Sequence, residues 1–132
     1  MPTMGWTDDE VYLVAERAYS LYQQGRFREA AIIFRGLTAL DPGNIYCRTA
    51  LAAVSLALGD AQRAVQELSA ILAQYPNDAD TRARRCEAYC QLRRWDEARK
   101  DLEFLQRRGD RTHSQRLAWR LEAGRAAIPG GV

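Results

Sequence analysis

A 34-residue period runs through most of this chain without a slip, and it leaves few folds open. Ala30, Ala64 and Ala98 are spaced by it, as are Pro42 and Pro76, Gly25 and Gly59, Phe34, Leu68 and Leu102, and Leu37, Ile71 and Leu105. Ala18, Ala52 and Cys86 hold the same register, and all are small. A period of this length marks a repeat in which each unit is one supersecondary element that cannot bury its apolar face alone. The expected fold is all-α: a solenoid of three helical hairpins followed by a capping helix, occupying the 132 residues as one domain.

Each period divides into two helices. Thr7 and Glu10 form a capping-box pattern that starts the first helix near Asp8. Val11, Val14, Ala15, Ala18, Leu21 and Tyr22 then recur at helical spacing. Gly25 suits a C-terminal position with positive φ, and a second helix is expected over 27–40, with Ala30, Ala31, Phe34, Leu37 and Leu40 on one face. Asp41-Pro-Gly-Asn44 ends the first repeat, because proline cannot continue the helix and Asn44 caps the next one. The same logic gives helices at 45–58, 61–74, 79–92 and 95–108. In the third repeat Arg93-Arg94 stands where the others have glycine, which weakens the turn signal but not the register. Thr112 and Gln115 form another capping-box pattern, predicting a final helix over 113–127 with Leu117, Ala118, Leu121 and Ala127 apolar, then a frayed tail at 128–132. Trp95 and Trp119 are expected to fill the joint between the third repeat and this helix.

Within each repeat, small residues sit at positions 8 and 20, large apolar ones at 24 and 27, and proline at 32 in the first two. This pattern resembles the tetratricopeptide repeat, in copies at 11–44, 45–78 and 79–112. The resemblance implies a right-handed superhelical solenoid whose first helices line a concave face. One departure is visible: Val14, Arg48 and Arg82 occupy a position that the family favours as tryptophan, so a smaller or aliphatic wedge is expected there.

By the same resemblance, positions 2, 5, 9, 12 and 13 of each repeat face the groove. They are Tyr12, Ala15, Tyr19, Tyr22 and Gln23, then Tyr46, Thr49, Ala53, Leu56 and Ala57, then Asp80, Ala83, Glu87, Cys90 and Gln91. The first two sets are apolar and rich in tyrosine. Tyrosine offers a flat apolar face with a polar tip and is enriched at binding surfaces. The expected partner-binding residues are therefore Tyr12, Ala15, Tyr19, Tyr22, Tyr46, Thr49, Ala53 and Leu56, receiving an apolar helix or extended segment of another protein. The same tyrosines also fit packing within the repeats. Members of the family that hold a C-terminal carboxylate carry Lys or Asn where this chain has Ala15, Tyr19, Ala50 and Asp80; only Arg84 matches, so docking of that kind is not expected.

The stretch from Ala18 to Pro42, with Leu-Tyr-Gln-Gln-Gly-Arg-Phe-Arg-Glu-Ala and Phe34 to Leu40 before Asp41-Pro42, resembles the small tetratricopeptide chaperones of bacterial type III secretion. That resemblance implies a cytoplasmic chaperone masking an apolar segment of a secretion substrate or apparatus protein. The alternative is a generic scaffold that assembles a complex or self-associates, with a homodimer forming when no partner is present.

Composition narrows the rest. No stretch approaches 18 consecutive apolar residues, so no membrane insertion is expected, and the first ten residues do not read as a signal peptide. Residues 1–80 carry six Arg against ten Asp or Glu; residues 81–132 carry twelve Arg and Lys100 against seven acids. The basic side has Arg interspersed with acids and no nucleic-acid motif, which fits a solvated helical surface rather than a nucleic-acid site. Three cysteines, Cys47, Cys86 and Cys90, with His113 as the single histidine, do not supply a closed metal site, and no metal or cofactor is expected. No phosphate loop or serine elbow appears, and acidic pairs such as Asp8-Asp9 and Asp96-Glu97 sit at helix starts, where the helix dipole favours them, so no enzymatic activity is expected.

Overall fold

Helix starts and stops follow the capping chemistry of the sequence closely. The computed structural model describes residues 6–126. Among them are seven helices: α1 (Asp8–Gln23), α2 (Phe27–Leu40), α3 (Ile45–Ala57), α4 (Ala61–Gln74), α5 (Ala79–Gln91), α6 (Trp95–Arg107) and α7 (Arg111–Ala126). Ala127 and the tail at 128–132 lie outside the described residues. Thr7 closes its capping box in both directions: the Glu10 amide donates to Thr7 Oγ1 at 3.1 Å and the Thr7 amide to Glu10 Oε1 at 2.9 Å. Asn44 accepts from the Cys47 amide at 3.1 Å, and Asp78 from that of Thr81 at 3.2 Å.

Four helices end in the same left-handed turn. At Gly25, the Gly25 amide donates to Tyr22 O (3.0 Å) and the Arg26 amide to Leu21 O (2.9 Å), the paired bonds of a Schellman motif. Gly59 and Gly109 repeat it with φ +84° and +73°. Arg93 does so without being glycine: its φ is 59°, its amide donates to Cys90 O at 3.1 Å, and the Arg94 amide to Tyr89 O at 2.9 Å. The register therefore survives the lost glycine by forcing an arginine into the left-handed region.

The last turn also fixes where α7 begins. The expected start at His113 with a Thr112–Gln115 box is corrected: Asp110 is the cap, its Oδ1 accepting from the His113 amide at 3.0 Å. Gly109 has already ended α6, so Asp110 is the first side chain able to meet the orphan amides and Thr112 falls inside the first turn.

The chain forms two compact units, split after Asp60. In the N-terminal unit α2 packs against both α1 and α3. Its core joins Val11, Ala15 and Ala18 of α1, Ala30, Ala31, Phe34 and Leu37 of α2, and Cys47, Leu51 and Val54 of α3. The alanines let the backbones approach and Phe34 and Leu37 fill the groove between them; burying each large side chain contributes about 1.5–3 kcal/mol before ordering costs.

In the C-terminal unit α5 packs against α4, α6 and α7, and α7 also lies on α6. Leu68, Ile71, Cys86, Ala98, Leu105 and Leu117 are fully buried. The expected wedge at Arg82 is corrected. Its guanidinium lies 3.9 Å over the Phe104 ring and 3.4 Å from Asp101, which is 1% exposed. Arg85 grips the same carboxylate with two bonds of 2.9 and 2.7 Å and donates to Ser69 Oγ at 3.2 Å. A flat cation backed by a ring thus takes the place of an indole.

Candidate functional site

On α1, residues 12, 15, 16 and 19 follow one another up a single helix face. Ala15 is buried and small, so it makes a floor rather than a wall, and α3 comes close enough to add its own side chains. The result is a cleft of about 420 Å³ lined by Asp8, Val11, Tyr12, Ala15, Glu16, Asp41, Asn44, Tyr46 and Cys47. Tyr12 is 60% exposed, Tyr46 47% and Tyr19 41%. Tyr46 has its hydroxyl pKa raised, first by partial burial, then by Glu16, Tyr19 and Tyr12. The three tyrosines and Glu16 therefore share one local field, and Tyr46 stays a neutral donor at ordinary pH. Burial, and then Asp41, push the Cys47 thiol up to about 11, so it is a packing group here and not a nucleophile.

The other expected site residues are placed as follows. Tyr22 is half-buried and packs against the core; it stacks on Tyr19 (centroids 6.0 Å apart) and tilts against Phe27 (5.5 Å). Thr49 uses its hydroxyl internally, donating to Ile45 O at 2.8 Å and Tyr46 O at 3.1 Å. Ala53 and Leu56 are buried, and neither they nor Thr49 line the cleft. The residues that sequence reasoning did not place there are Val11, Asn44, Cys47 and the carboxylates of Asp8, Glu16 and Asp41. Asp8 and Asp41 read as helix-start and turn residues, and Glu16 carries no signal in the sequence; only the meeting of α1, α3 and the turn between α2 and α3 brings them to one rim.

The positions expected to face the groove in the third repeat are engaged differently. Asp80 pairs with His113 Nε2 at 3.1 Å, and Glu87 with Arg116, so side chains of α7 meet them. Ala83 and Cys90 are buried and Gln91 is exposed. The expectation that Trp119 is core is corrected: it is 77% exposed. Leu117 and Leu121 form the inward stripe of α7, and a residue two places from Leu117 lies about 200° round the helix. Trp95 is half-buried beneath α7, where Gly124 leaves it room; a Cβ on Gly124 would sit 2.6 Å from the indole.

The sequence matches the tetratricopeptide repeat family over residues 21–80 and 55–124. The chain belongs to that family. Among solved structures it is similar to PcrH from Pseudomonas aeruginosa, with TM-score 0.80, 22% identity and coverage of 91% of this chain and 95% of the other. PcrH in complex with the chaperone binding region of PopD gives 0.79, 24%, 92% and 96%. The Yersinia enterocolitica type III secretion translocator chaperone SycD gives 0.79, 21%, 92% and 87%. At these identities the likeness establishes the fold. No curated protein sequence matches the chain. Among the described residues no helix is long and apolar enough to cross a membrane.

Proposed function

We propose that this chain is a protein-binding module, a cytoplasmic chaperone of type III secretion that holds an apolar segment of a substrate or apparatus protein on its tyrosine face. The repeats at 11–44, 45–78 and 79–112 with their capping helix work as one binding domain. The observation that carries the reading is the exposure of Tyr12, Tyr19 and Tyr46 beside one cleft floored by Ala15. A monomer in water gains nothing from presenting three aromatic rings together, whereas a partner's side chains inserted between them gain about 1.5–3 kcal/mol each before ordering costs. The likeness to PcrH, solved with a region of PopD, supports the same reading.

The double variant Tyr19→Ala/Tyr46→Ala should lose co-purification of the bound partner while keeping the helical circular dichroism of the parent. Undiminished capture by that variant would show that the face is not the binding surface.

A further inference from the structure

Among the described residues, the carboxylates on the rim of the tyrosine cleft share it with no cation. Asp8, Glu16 and Asp41 line it together with Tyr12 and Tyr46, and neither lysine nor arginine does. Among the described residues, none of the three is seen in a salt bridge; Arg26 and Glu29 form an ion pair at the start of α2.

The C-terminal unit shows what the same ingredients look like when complete. There a carboxylate, an aromatic face and a guanidinium close on one another: Arg82 lies between Asp101 and the Phe104 ring, and Arg85 joins Asp101 while standing 5.5 Å from the Tyr89 ring centroid. In that unit the guanidiniums of Arg82, Arg85, Arg94 and Arg108 stand over the rings of Tyr89 and Phe104. Among the described residues that line the cleft of the N-terminal unit, carboxylates and the rings of Tyr12 and Tyr46 are in place and no arginine or lysine joins them.

We propose that this cleft seats a basic side chain of the bound segment, an arginine or lysine lying among the tyrosine rings with its charge on Glu16 and Asp41, beside the apolar anchors. The proposal rests on the groove reading above and adds to it the chemistry of the segment. A guanidinium fits both halves of the site, since its flat face stacks on rings and its edge donates to carboxylates. The surplus of acids over residues 1–80 steers such a segment inward and repels an acidic one.

The test uses the full chain and three fluorescein-labelled peptides of one leucine-rich framework, carrying arginine, citrulline or glutamate at a single central position. Fluorescence anisotropy should give the arginine peptide about tenfold tighter binding than the citrulline peptide at about 0.05 M salt, with glutamate weakest and the advantage shrinking at about 0.5 M, where screening is strong. Glu16→Gln/Asp41→Asn should bring the arginine-to-citrulline ratio close to one. Equal binding of arginine and citrulline peptides by the parent, both lost in Tyr19→Ala/Tyr46→Ala, would overturn the cation inference and leave the groove standing. A ratio that persists in the Glu16→Gln/Asp41→Asn variant would overturn it too. Failure of all three peptides to bind, or binding that the tyrosine variant does not weaken, would overturn the groove reading and this inference together.

Discussion

At position 93 an arginine holds a backbone conformation that L side chains adopt at a cost of about 1–2 kcal/mol. The surrounding bonds hold it there, since the Arg93 and Arg94 amides satisfy the last carbonyls of α5. The substitution Arg93→Gly should therefore stabilise the protein by about 1 kcal/mol, read as a higher urea midpoint at unchanged slope. An unchanged or lower midpoint would mean that the Arg93 side chain returns what its backbone loses. Asp101 argues the opposite case. It is sealed from water between two arginines, so Asp101→Asn leaves those guanidiniums facing a neutral amide and should destabilise by about 3–5 kcal/mol in the same measurement. A loss below about 1 kcal/mol would show that the network behaves like an exposed ion pair.

Among the elements, α7 is one whose start rests on a carboxylate with a shifted titration. The carboxyl of Asp110 is held below the ordinary carboxylate range, first by the His113 amide and then by the His113 side chain. A carboxyl depressed in the folded state contributes stability that is complete above its unfolded value, about pH 3.9, and is lost as pH falls through the lower folded value. Urea midpoints measured from about pH 5 downward should therefore fall more steeply for the parent than for Asp110→Asn, which still caps but does not titrate. Parallel acid limbs would place the acid sensitivity elsewhere. The same helix shows why sequence reading misplaced its start and its tryptophan. Thr112 and Gln115 have the right spacing for a box, but the cap belongs to whichever residue follows the turn, and Gly109 hands it to Asp110. Trp119 is expected to fill the joint with the third repeat, whereas its phase against Leu117 and Leu121 turns it outward.

For the molecule as a whole, local chemistry was legible and convergence was not. The 34-residue register and the caps at Thr7, Asn44 and Asp78 gave six helices to within a residue or so at each end. Tyr12 and Tyr19 share a face of α1 by helical spacing, and Tyr46 of α3 joins them in the sequence only through the resemblance to the repeat family. The carboxylate rim could not be placed, because Asp41 comes from the turn after α2 while Asp8 and Glu16 sit on α1, and Asp8 and Asp41 each have a sufficient local explanation. The Arg82–Asp101–Phe104 arrangement escaped for the same reason: three residues from two helices substitute for a single expected side chain.

The third turn also bears on how such repeats diverge. A glycine codon and an arginine codon differ by one base, and the equivalent sites at Gly25 and Gly59 have open space where a Cβ would go. Nothing collides when the change occurs; the burden is a backbone angle alone. Copies of an ancestral hairpin can therefore lose this punctuation one at a time and remain in phase, while a position such as Gly124, pressed against an indole, admits no comparable drift.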